Sequence, residues 1–509
     1  MKRPRFLTAA EAVRTIRDRA TVATGGFVGS GHAEALTAAL EERFVAEAAP
    51  RELTVVYAAG QGDGAARGLN HLGHRGLVRR VIGGHWNLAP RLGALAAANE
   101  IEAYNFPQGV LSKLFREIAA GNPGMLSRIG LGSFVDPRRG GGRINARTTE
   151  ELVQVMEIDG CEMLWYRTFP IDVALVRGTS SDSYGNISME HEPLIGEILP
   201  MAQAAKRNGG MVIAQVERMV ADHSRNPKDI RLPGIFVDAV VVAEPELHPQ
   251  TYDRQFDGDF VRQGPLDSID LGQLADGPRR WIAARCTNEL REGDVVNLGI
   301  GIAEGIARIA WERRMLDRVV MTVEAGVIGG VPAGGLSFGS ASLPMAIIDQ
   351  PSMFDYYDGG GLDIAFLSMA ECDRFGNVNV SRYGGRIPGS GGFINIAQTA
   401  KRLVFVGTFT ANGLDVVQDG AGLRIRSEGQ SRKFVRDVEQ ITFSAEQAAR
   451  DGKPVLYVTE RAVFSLHEGG LRLEEIAAGL DVERDVLRLM DFAPAIADPL
   501  RVIDAGVYR

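Results

Sequence analysis

The stretch "GDVVNLGIGIAEGIARIAWERR", Gly293 to Arg314, runs from a short β-branched segment through a glycine-rich loop into a helix-like segment. The stretch "ATVATGGFVGSGHAEALTAALEERF", Ala20 to Phe44, repeats that order in the first half of the chain. A strand, a glycine turn and a helix in alternation are typical of α/β folds with largely parallel sheets. The sequence therefore predicts an α/β protein whose two halves resemble each other.

A second pair of matching segments supports an internal duplication. "DSYGNISME", Asp182 to Glu190, and "DRFGNVNVS", Asp373 to Ser381, share the pattern D-x-aromatic-G-N, and each follows an apolar strand-like run. The two pairs occur in the same order in both halves, as expected for diverged copies of one unit. The alternative is that D-x-x-G-N is simply a common tight turn.

The length of the chain also calls for more than one domain. Its 509 residues exceed what one hydrophobic core usually serves. We predict two duplicated open α/β domains, at residues 1–245 and 279–509, fused in one chain. The segment 246–278 is polar and rich in Asp, Gly, Gln and Pro, which indicates a linker between them.

Composition and charge argue against several classes of function. Hydrophobic residues make up 45% and charged residues 24% of the chain, as in ordinary soluble globular proteins, and no apolar run is long enough for a transmembrane helix. The net charge of −8 argues against a nucleic-acid partner. The N-terminus lacks the apolar core of a signal peptide, and Thr8 to Glu11 is typical of a helix capping box. Three separated cysteines favour the cytoplasm, and the eight histidines show no metal-ligand spacing, so we expect no metal site.

One carboxylate stands out in the second half. "MTVEAGVIGGVPAGGLSFG", Met321 to Gly339, contains a single ionisable side chain, Glu324, at the end of an apolar strand and beside a glycine-rich loop. Ligands of open α/β sheets bind at the carboxyl ends of the strands. Burial there raises the pKa of a carboxyl group and makes its ionised form reactive, as a base, a ligand or a nucleophile. The alternative is that Glu324 caps a helix or pairs with an arginine.

Two further loops contain candidate hydrogen-bond donors. "GSGGF", Gly389 to Phe393, presents backbone N–H groups without side-chain obstruction, and "YNFPQGVLSKLF" places the neutral amide of Gln108 on a Pro-Gln-Gly turn. Donors of this kind stabilise the oxyanion that forms when a carbonyl group is attacked. The sequence alone does not show that these loops meet Glu324.

These motifs resemble those of the class I coenzyme A transferases, above all the single-chain acetate/propionate and 3-oxoacid enzymes. The resemblance rests on "VEAGVIGGVPAGGLSFG" and "PGSGGFINIAQTAKRLVFVGTFTANG" in the second half, and on "TGGFVGSG", "NEIEAYNFPQGVL" and "VRGTSSDSYGNIS" in the first. It covers nearly the whole chain. The family also has two-subunit members, so the resemblance implies that their α and β parts are joined here.

The resemblance implies roles for individual residues. Glu324 would be the nucleophile of a ping-pong transfer of CoA between a short-chain acyl-CoA and a free carboxylate such as acetate, propionate, butyrate or acetoacetate. Gln108 and the N–H groups near Gly391 and Gly392 would be the oxyanion donors. CoA would be a co-substrate rather than a tightly bound cofactor, and the chain would form a homodimer or homotetramer. Residues assigned to CoA are Gly299, Ile300, Gly301, Ile302, Ala303, Asn377 and Gly389, and those assigned to the acyl pocket are Phe27, Tyr104 and Phe106. The alternatives are that Asn377 only holds a turn and that the three aromatic residues are ordinary core residues.

Two alternatives and one departure from the family pattern stay open. The ketone-body enzymes have Ser-Glu-Asn-Gly around the glutamate, whereas this chain has Val323-Glu324-Ala325-Gly326, which puts a strict succinate/acetoacetate preference in doubt. An acyl-CoA hydrolase would use the same fold, with water in place of the second carboxylate. The G-x-G-x-x-x-G of residues 299–305 also resembles a dinucleotide-binding turn, but no acidic residue is well placed for the ribose.

Overall fold

The computed structural model describes residues 3–508, and two large β-sheets form its framework. In the first, an eight-stranded sheet, all neighbouring strands run parallel. Their spatial order is β1-β8-β7-β6-β2-β3-β4-β5. The bounds in chain order are β1 Arg5–Phe6, β2 Thr21–Thr24, β3 Leu53–Tyr57, β4 Val78–Gly83, β5 Glu102–Asn105, β6 Val173–Arg177, β7 Met211–Val216 and β8 Ala239–Val242.

The second sheet has ten strands; its centre is parallel and is flanked by antiparallel pairs on both sides, and the last pair at one edge is again parallel. Their spatial order is β12-β11-β10-β9-β13-β14-β15-β16-β17-β18, and the strands from β10 to β15 in that order pair in parallel. The bounds are β9 Val295–Leu298, β10 Val320–Val323, β11 Val327–Ile328, β12 Ala346–Ile347, β13 Ile364–Ser368, β14 Arg402–Val406, β15 Val455–Val458, β16 Ala462–His467, β17 Gly470–Ile476 and β18 Ala495–Val502.

The centres of the two sheets share one topology. The first sheet contains the run β8-β7-β6-β2-β3, and the second contains β15-β14-β13-β9-β10, so strands that occupy the same rank in each half occupy the same place in each sheet. Two unrelated α/β units would not be expected to repeat a five-strand order with the same crossovers. The prediction of two duplicated α/β units with largely parallel sheets is confirmed.

Each large sheet is covered on both faces. In the strand Leu53–Tyr57, Leu53, Val55 and Tyr57 belong to one buried cluster, while Val56 belongs to the cluster on the other side. In the strand Ile364–Ser368, alternate side chains divide between two clusters in the same way. Parallel strands buried on both faces are apolar throughout, because neither face meets water. This explains why the strands appear in the sequence as continuous β-branched runs.

Eleven helices occur within residues 3–508, and they supply the covering layers. The first begins at the predicted capping box, in which the Thr8 hydroxyl accepts from the Glu11 N–H and the Glu11 carboxylate accepts from the Thr8 N–H. The bounds are α1 Ala9–Val13, α2 Glu34–Glu47, α3 Pro90–Ala97, α4 Gln108–Ala120, α5 Ile198–Arg207, α6 Pro278–Thr287, α7 Gly305–Glu312, α8 Gln350–Asp358, α9 Phe393–Thr399, α10 Ala445–Arg450 and α11 Val482–Asp485. Across the described residues, no helix is both long enough and apolar enough to cross a membrane.

Short strands form smaller sheets beside the two large ones. In the first half they are Gly124–Ser127, Val153–Ile158, Cys161–Arg167, Ser180–Ser181, Ile187–Ser188, Arg218–Met219 and Ile230–Leu232. In the second half they are Val331–Pro332, Ala341–Ser342, Glu371–Asp373, Val378–Asn379, Thr410–Ala411, Asp415–Asp419, Gly422–Ser427, Ser431–Arg432 and Phe434–Val435.

The D-x-x-G-N motif forms the same turn in both halves. Asp182 accepts from the backbone N–H and the side-chain amide of Asn186 at 3.0 and 2.9 Å, and Asp373 accepts from the same groups of Asn377 at 2.9 and 3.0 Å. The intervening glycine has a positive φ in each copy. The motif is thus both a tight turn and a repeated structural element, so the two interpretations of it are compatible.

The segment between the two sheets is partly packed, with residues 248–252 and Phe260 buried. Thr251 is fully buried and its hydroxyl lies 2.9 Å from that of Ser337 in the second half. The Tyr252 hydroxyl donates to the buried Glu34 carboxylate of the first half at 2.6 Å. The segment therefore ties the halves together, while the exact domain boundaries stay a prediction.

Candidate active site

Glu324 directly follows the strand Val320–Val323, at the edge of the second sheet where the parallel strands end. Only 7% of the residue is exposed. Burial raises the pKa of its carboxyl group above the ordinary value, and a hydrogen bond from Asn297 offsets this effect only in part. Among residues 3–508 no cation pairs with Glu324, so the arginine pairing that is common for a strand-end glutamate is absent here. A buried, unpaired carboxylate is poorly solvated and correspondingly reactive.

The polar groups that contact Glu324 come from neighbouring elements of the second half. Asn297 donates from Nδ2 to Glu324 Oε2 at 3.3 Å, and the same nitrogen lies 3.4 Å from the Tyr357 hydroxyl. That hydroxyl donates in turn to Thr322 Oγ1 at 2.8 Å. Asn297 pairs with Thr322 across the parallel strands β9 and β10. The strand register itself therefore places the amide beside the carboxylate.

The loop that precedes α9, residues 388–392, also lies beside Glu324, and hydrogen bonds to the first half hold the loop in that position. The Ser390 N–H donates to Asn105 Oδ1 at 2.9 Å, and the Trp86 N–H donates to the Pro388 carbonyl at 2.7 Å. A Cβ atom built on Gly392 would lie 3.4 Å from Glu324 Cγ. The carboxyl ends of both sheets thus meet at one place, and Glu324 lies in that place.

Gly391 and Gly392 differ in the availability of their N–H groups. The Gly391 N–H donates to the Gly84 carbonyl at 2.7 Å, so it is not free to bind an oxyanion in this conformation. For the Gly392 N–H no acceptor is found within residues 3–508, and it lies at the N-terminus of α9. Of the two predicted donors, the Gly392 N–H is therefore the one without an acceptor among residues 3–508, and its role at an oxyanion stays a prediction.

Gln108 is the first residue of α4 and reaches the same region from the first half. Its N–H donates to the Gly391 carbonyl at 2.9 Å, and its side-chain Nε2 donates to Gln350 Oε1 at 3.2 Å. The second hydrogen of that nitrogen is not used by this bond. The next residue, Gly109, has to be small, since a Cβ atom there would lie 2.5 Å from the ring of Phe354. The structure thus brings Glu324, Gln108 and the Gly391–Gly392 segment together, although they are far apart in the sequence.

Comparison with known proteins adds to this geometry. A family model described as coenzyme A transferase matches residues 6–243. The acetate CoA-transferase YdiF of Escherichia coli (strain K12) is 43% identical over 509 aligned residues, covering 99% of this chain and 94% of that protein. The chain belongs to the coenzyme A transferase family. This confirms the family and the enzyme class predicted from the sequence.

Two further relatives of this transferase agree. The caffeate CoA-transferase of Acetobacterium woodii is 42% identical over 514 aligned residues, with 99% of this chain and 97% of that protein covered. The crystal structure of the acyl-CoA transferase YdiF of E. coli O157:H7, in a thioester complex with CoA, superposes with a TM-score of 0.94 at 41% identity. That superposition covers 100% of this chain and 96% of the other. The whole architecture described above is therefore that of a coenzyme A transferase.

The loop that the sequence assigns to CoA follows β9, the strand adjacent to that of Glu324. The Gly299 N–H donates to the Phe366 carbonyl at 2.8 Å and continues the sheet. Ile300, 48% exposed, and the neighbouring Gly301 face solvent. Ile302 is half-buried and Ala303 is fully buried in the core under the loop. In the transferase, the exposed part of this loop is thus residues 300 and 301.

The other two residues assigned to CoA have structural roles in the transferase. The Asn377 side chain donates to Asp373, and its Oδ1 accepts from the Ala445 N–H at 2.9 Å, so both ends of the amide are used. Gly389 has a φ of +77°, and a Cβ atom there would lie 3.0 Å from the Trp86 ring. Neither residue is carried forward as a CoA contact.

The three aromatic residues assigned to the acyl pocket lie in packed clusters. Tyr104 and Phe106 are in the core of the first half, 5.7 Å apart between ring centres, and the Tyr104 hydroxyl donates to the Glu150 carbonyl. Phe27 packs 5.6 Å from Phe338 in a cluster that joins the two halves. That cluster includes both chain neighbours of Glu324, so Phe27 supports the loop that contains Glu324.

Several residues of the site were not predicted. Phe354 Cζ and Ile396 Cδ1 both lie 3.4 Å from a Cβ atom built on Gly392, and they form an apolar wall beside Glu324. Gln350 and Asn297 provide the polar contacts to Gln108 and to Glu324. Asn297 was detectable in principle, because it is the next-to-last residue of the strand that leads into the glycine-rich loop.

Proposed function

We propose that this enzyme transfers coenzyme A between a short-chain acyl-CoA and a free carboxylate through covalent intermediates on Glu324. The observation that carries the proposal is the Glu324 carboxylate, which is buried and unpaired with any cation among residues 3–508, and which lies beside Gly392, where a Cβ atom would be 3.4 Å from Glu324 Cγ. A relative solved as a thioester complex with CoA supports the same chemistry.

The reaction begins when an oxygen of the Glu324 carboxylate attacks the thioester carbonyl carbon of the acyl-CoA. The carbon–sulfur bond breaks, CoA leaves as the thiolate, and an acyl-glutamyl anhydride remains. The thiolate then attacks the Glu324 carbonyl carbon of the anhydride. The carbon–oxygen bond to the acyl group breaks, the first carboxylate leaves, and a glutamyl-CoA thioester is formed. A second carboxylate then attacks the Glu324 carbonyl carbon of the thioester, and the CoA thiolate leaves. The thiolate attacks the acyl carbonyl carbon of the new anhydride, which releases the new acyl-CoA and the free Glu324 carboxylate.

Each attack puts negative charge on a carbonyl oxygen, and we assign two groups to its stabilisation. These groups are the unused hydrogen of Gln108 Nε2 and the N–H of Gly392. A preorganised donor of this kind typically contributes about 10²- to 10³-fold to the rate. Both lie at helix N-termini, where the partial positive charge of the helix favours an anion.

The buried position of Glu324 also protects the intermediates. An anhydride or a thioester on Glu324 hydrolyses if water reaches it, so the site has to be closed by apolar groups. Phe354 and Ile396 provide such groups on the side of Gly392. We assign the approach of CoA to the exposed loop residues Ile300 and Gly301, which lie at the same sheet edge as Glu324.

The proposal is tested by trapping the intermediate. The protein is incubated with acetyl-CoA or propionyl-CoA, treated with borohydride or hydroxylamine, and digested for mass spectrometry. We expect modification at Glu324, and loss of more than about 10³-fold of transfer activity in Glu324→Gln with the fold retained. The matched control is Glu446→Gln, an exposed glutamate paired with Arg450, which leaves transfer unchanged. Modification at another residue, or an active Glu324→Gln, contradicts the proposal.

Two acceptor experiments separate transfer from hydrolysis and define the substrate. CoA release from acyl-CoA is measured with and without acetate, and equal rates identify a hydrolase instead. The acceptors acetate, propionate, butyrate and acetoacetate are then compared with caffeate, which the name of one relative specifies. A preference for caffeate leaves the transferase mechanism in place but contradicts the short-chain assignment.

A further inference from the structure

A second buried carboxyl group lies close to the site and has no role in the steps above. Glu197 caps α5 in the first half, is 1% exposed, and has an Oε1 atom without a hydrogen-bond partner among residues 3–508. Its Oε2 accepts from Gln350 Nε2 at 3.1 Å. The Gln350 N–H also donates to the Gly196 carbonyl at 3.0 Å, so Gln350 is attached to this segment at two points.

These contacts continue to the catalytic amide. Gln350 receives the Gln108 amide on its Oε1 while it donates to Glu197 from its Nε2. A side-chain amide has a donor end and an acceptor end, and the partner at one end fixes which end faces the other neighbour. Because Glu197 Oε2 accepts from Gln350 Nε2, Gln350 turns its oxygen toward Gln108; in neutral Glu197 the proton then resides on Oε1, the oxygen without a partner among residues 3–508. Gln108 must then offer its nitrogen, which is the atom required at the oxyanion.

The charge of Glu197 matters as well as the orientation that it gives to the Gln350 amide. No cation pairs with it among residues 3–508, and burial raises the pKa of its carboxyl group to about 8. The charged group that faces it is Asp349 at the start of α8, which raises that pKa further and is itself paired with Arg116 of α4. The other neighbours in the chain of contacts, Gln350 and Gln108, are neutral. Near neutral pH Glu197 is therefore mainly uncharged.

We propose that Glu197 is a positioning residue, which in its neutral form orients Gln350 and through it the Gln108 amide toward the oxyanion. This inference rests on the proposed role of Gln108. It makes two demands on position 197: an acceptor atom has to face Gln350, and no negative charge can be present. When Glu197 ionises, it adds a second anion near the developing oxyanion, and the transfer step slows.

The experiment compares Glu197→Gln with Glu197→Met. Glutamine keeps the acceptor and the neutral charge, whereas methionine keeps the volume and removes the acceptor. We expect Glu197→Met to lower kcat by about 10-fold with little change in KM, less than the full loss of a donor. Glu197→Gln restores kcat to within about threefold of the unmodified enzyme at pH 7. Above pH 8 the unmodified enzyme loses activity relative to Glu197→Gln, because only the unmodified enzyme can ionise at this position.

A double substitution tests whether Glu197 acts through Gln108. Once Gln108→Ala has removed the donor, adding Glu197→Met is expected to cause no further loss of kcat. Additive losses overturn the inference, as does a Glu197→Gln variant with the same alkaline decline as the unmodified enzyme. If Glu197→Met does not fold, the comparison of the pH profiles of Glu197→Gln and the unmodified enzyme decides whether the inference holds. Trapping of the Glu324 adduct in each variant keeps the two proposals separate, since the adduct forms whether or not Glu197 orients Gln108 through Gln350.

Discussion

Gly392→Ala tests directly whether this glycine faces the reacting carboxyl group. Gly392 has a φ of −78°, which any L-residue adopts, so alanine introduces no backbone strain. Its Cβ atom would lie 3.4 Å from each of three atoms, Glu324 Cγ, Phe354 Cζ and Ile396 Cδ1. That distance is ordinary contact, so the methyl group fits in the resting enzyme. The denaturation midpoint is then expected to stay unchanged or to rise slightly, since replacing a compatible glycine contributes about 0.4–1 kcal/mol.

The same methyl group leaves no space for a substituent on the Glu324 carbonyl. Moving a reacting group by about 1 Å costs on the order of 10²-fold in rate, and we expect a loss of kcat of that size. The comparison variant is Gly391→Ala, for which strain is expected but no steric conflict. Its φ of +54° costs about 1–2 kcal/mol with alanine, whereas the atom nearest to the new Cβ, His85 Cδ2, is 3.6 Å away. Steady-state kinetics and urea denaturation of both variants measure the two effects. A fully active Gly392→Ala, or a Gly391→Ala that is the less active of the two, refutes the assignment.

Two further predictions concern residues that donate hydrogen bonds to buried glutamates, Asn297 to Glu324 and Tyr252 to Glu34. Asn297→Ala removes a hydrogen bond that stabilises ionised Glu324, so the pKa of Glu324 rises further and the acid limb of kcat/KM moves to higher pH; an unchanged acid limb contradicts this. Tyr252→Phe removes the hydrogen bond to Glu34, whose pKa is lowered to about 2 by contacts that outweigh its burial, including bonds from His71 and Tyr252. Stability is expected to fall by about 1.5–3 kcal/mol at neutral pH while Glu324 trapping persists, and equal denaturation midpoints contradict it.

The sequence predicts the fold well because the relevant signals are local. A strand, a glycine turn and a helix are adjacent in the chain, so "GDVVNLGIGIAEG" already specifies its own part of the sheet. Glu324 is also visible locally, as the only charge in an apolar strand and glycine loop. The duplicated topology follows from the order of such units, since parallel neighbours need crossovers that the helices supply.

The remaining part of the site depends on contacts between distant segments. The Gly391 N–H has its acceptor in Gly84, about half the chain away, and nothing in "GSGGF" indicates that this donor is already used. Tyr104 and Phe106 lie at the end of β5, where an aromatic residue can face a ligand or the core. Only the packing of the first half shows that they face the core. Gln350 and Phe354 belong to a helix with no unusual sequence pattern, and their role follows from the position of α4.

The duplication offers a reason for the proposed division of roles, in which one half supplies the nucleophile and the other supplies a donor. The pairing registers align the end of β3 with the end of β10, which places Ala58 at the position of Glu324, within "YAAG" and "VEAG" respectively. The same alignment places Ala23 at the position of Asn297. The carboxylate and the amide that contacts it therefore occur together in the second half and are both replaced by alanine in the first. Because a carboxylate at Ala58 would lie in the same junction as Glu324, the two charges would repel each other and raise the pKa of one of them. A single proposed nucleophile with neutral side chains facing it from the other half avoids this conflict, and the neutral amide of Gln108 is consistent with that requirement.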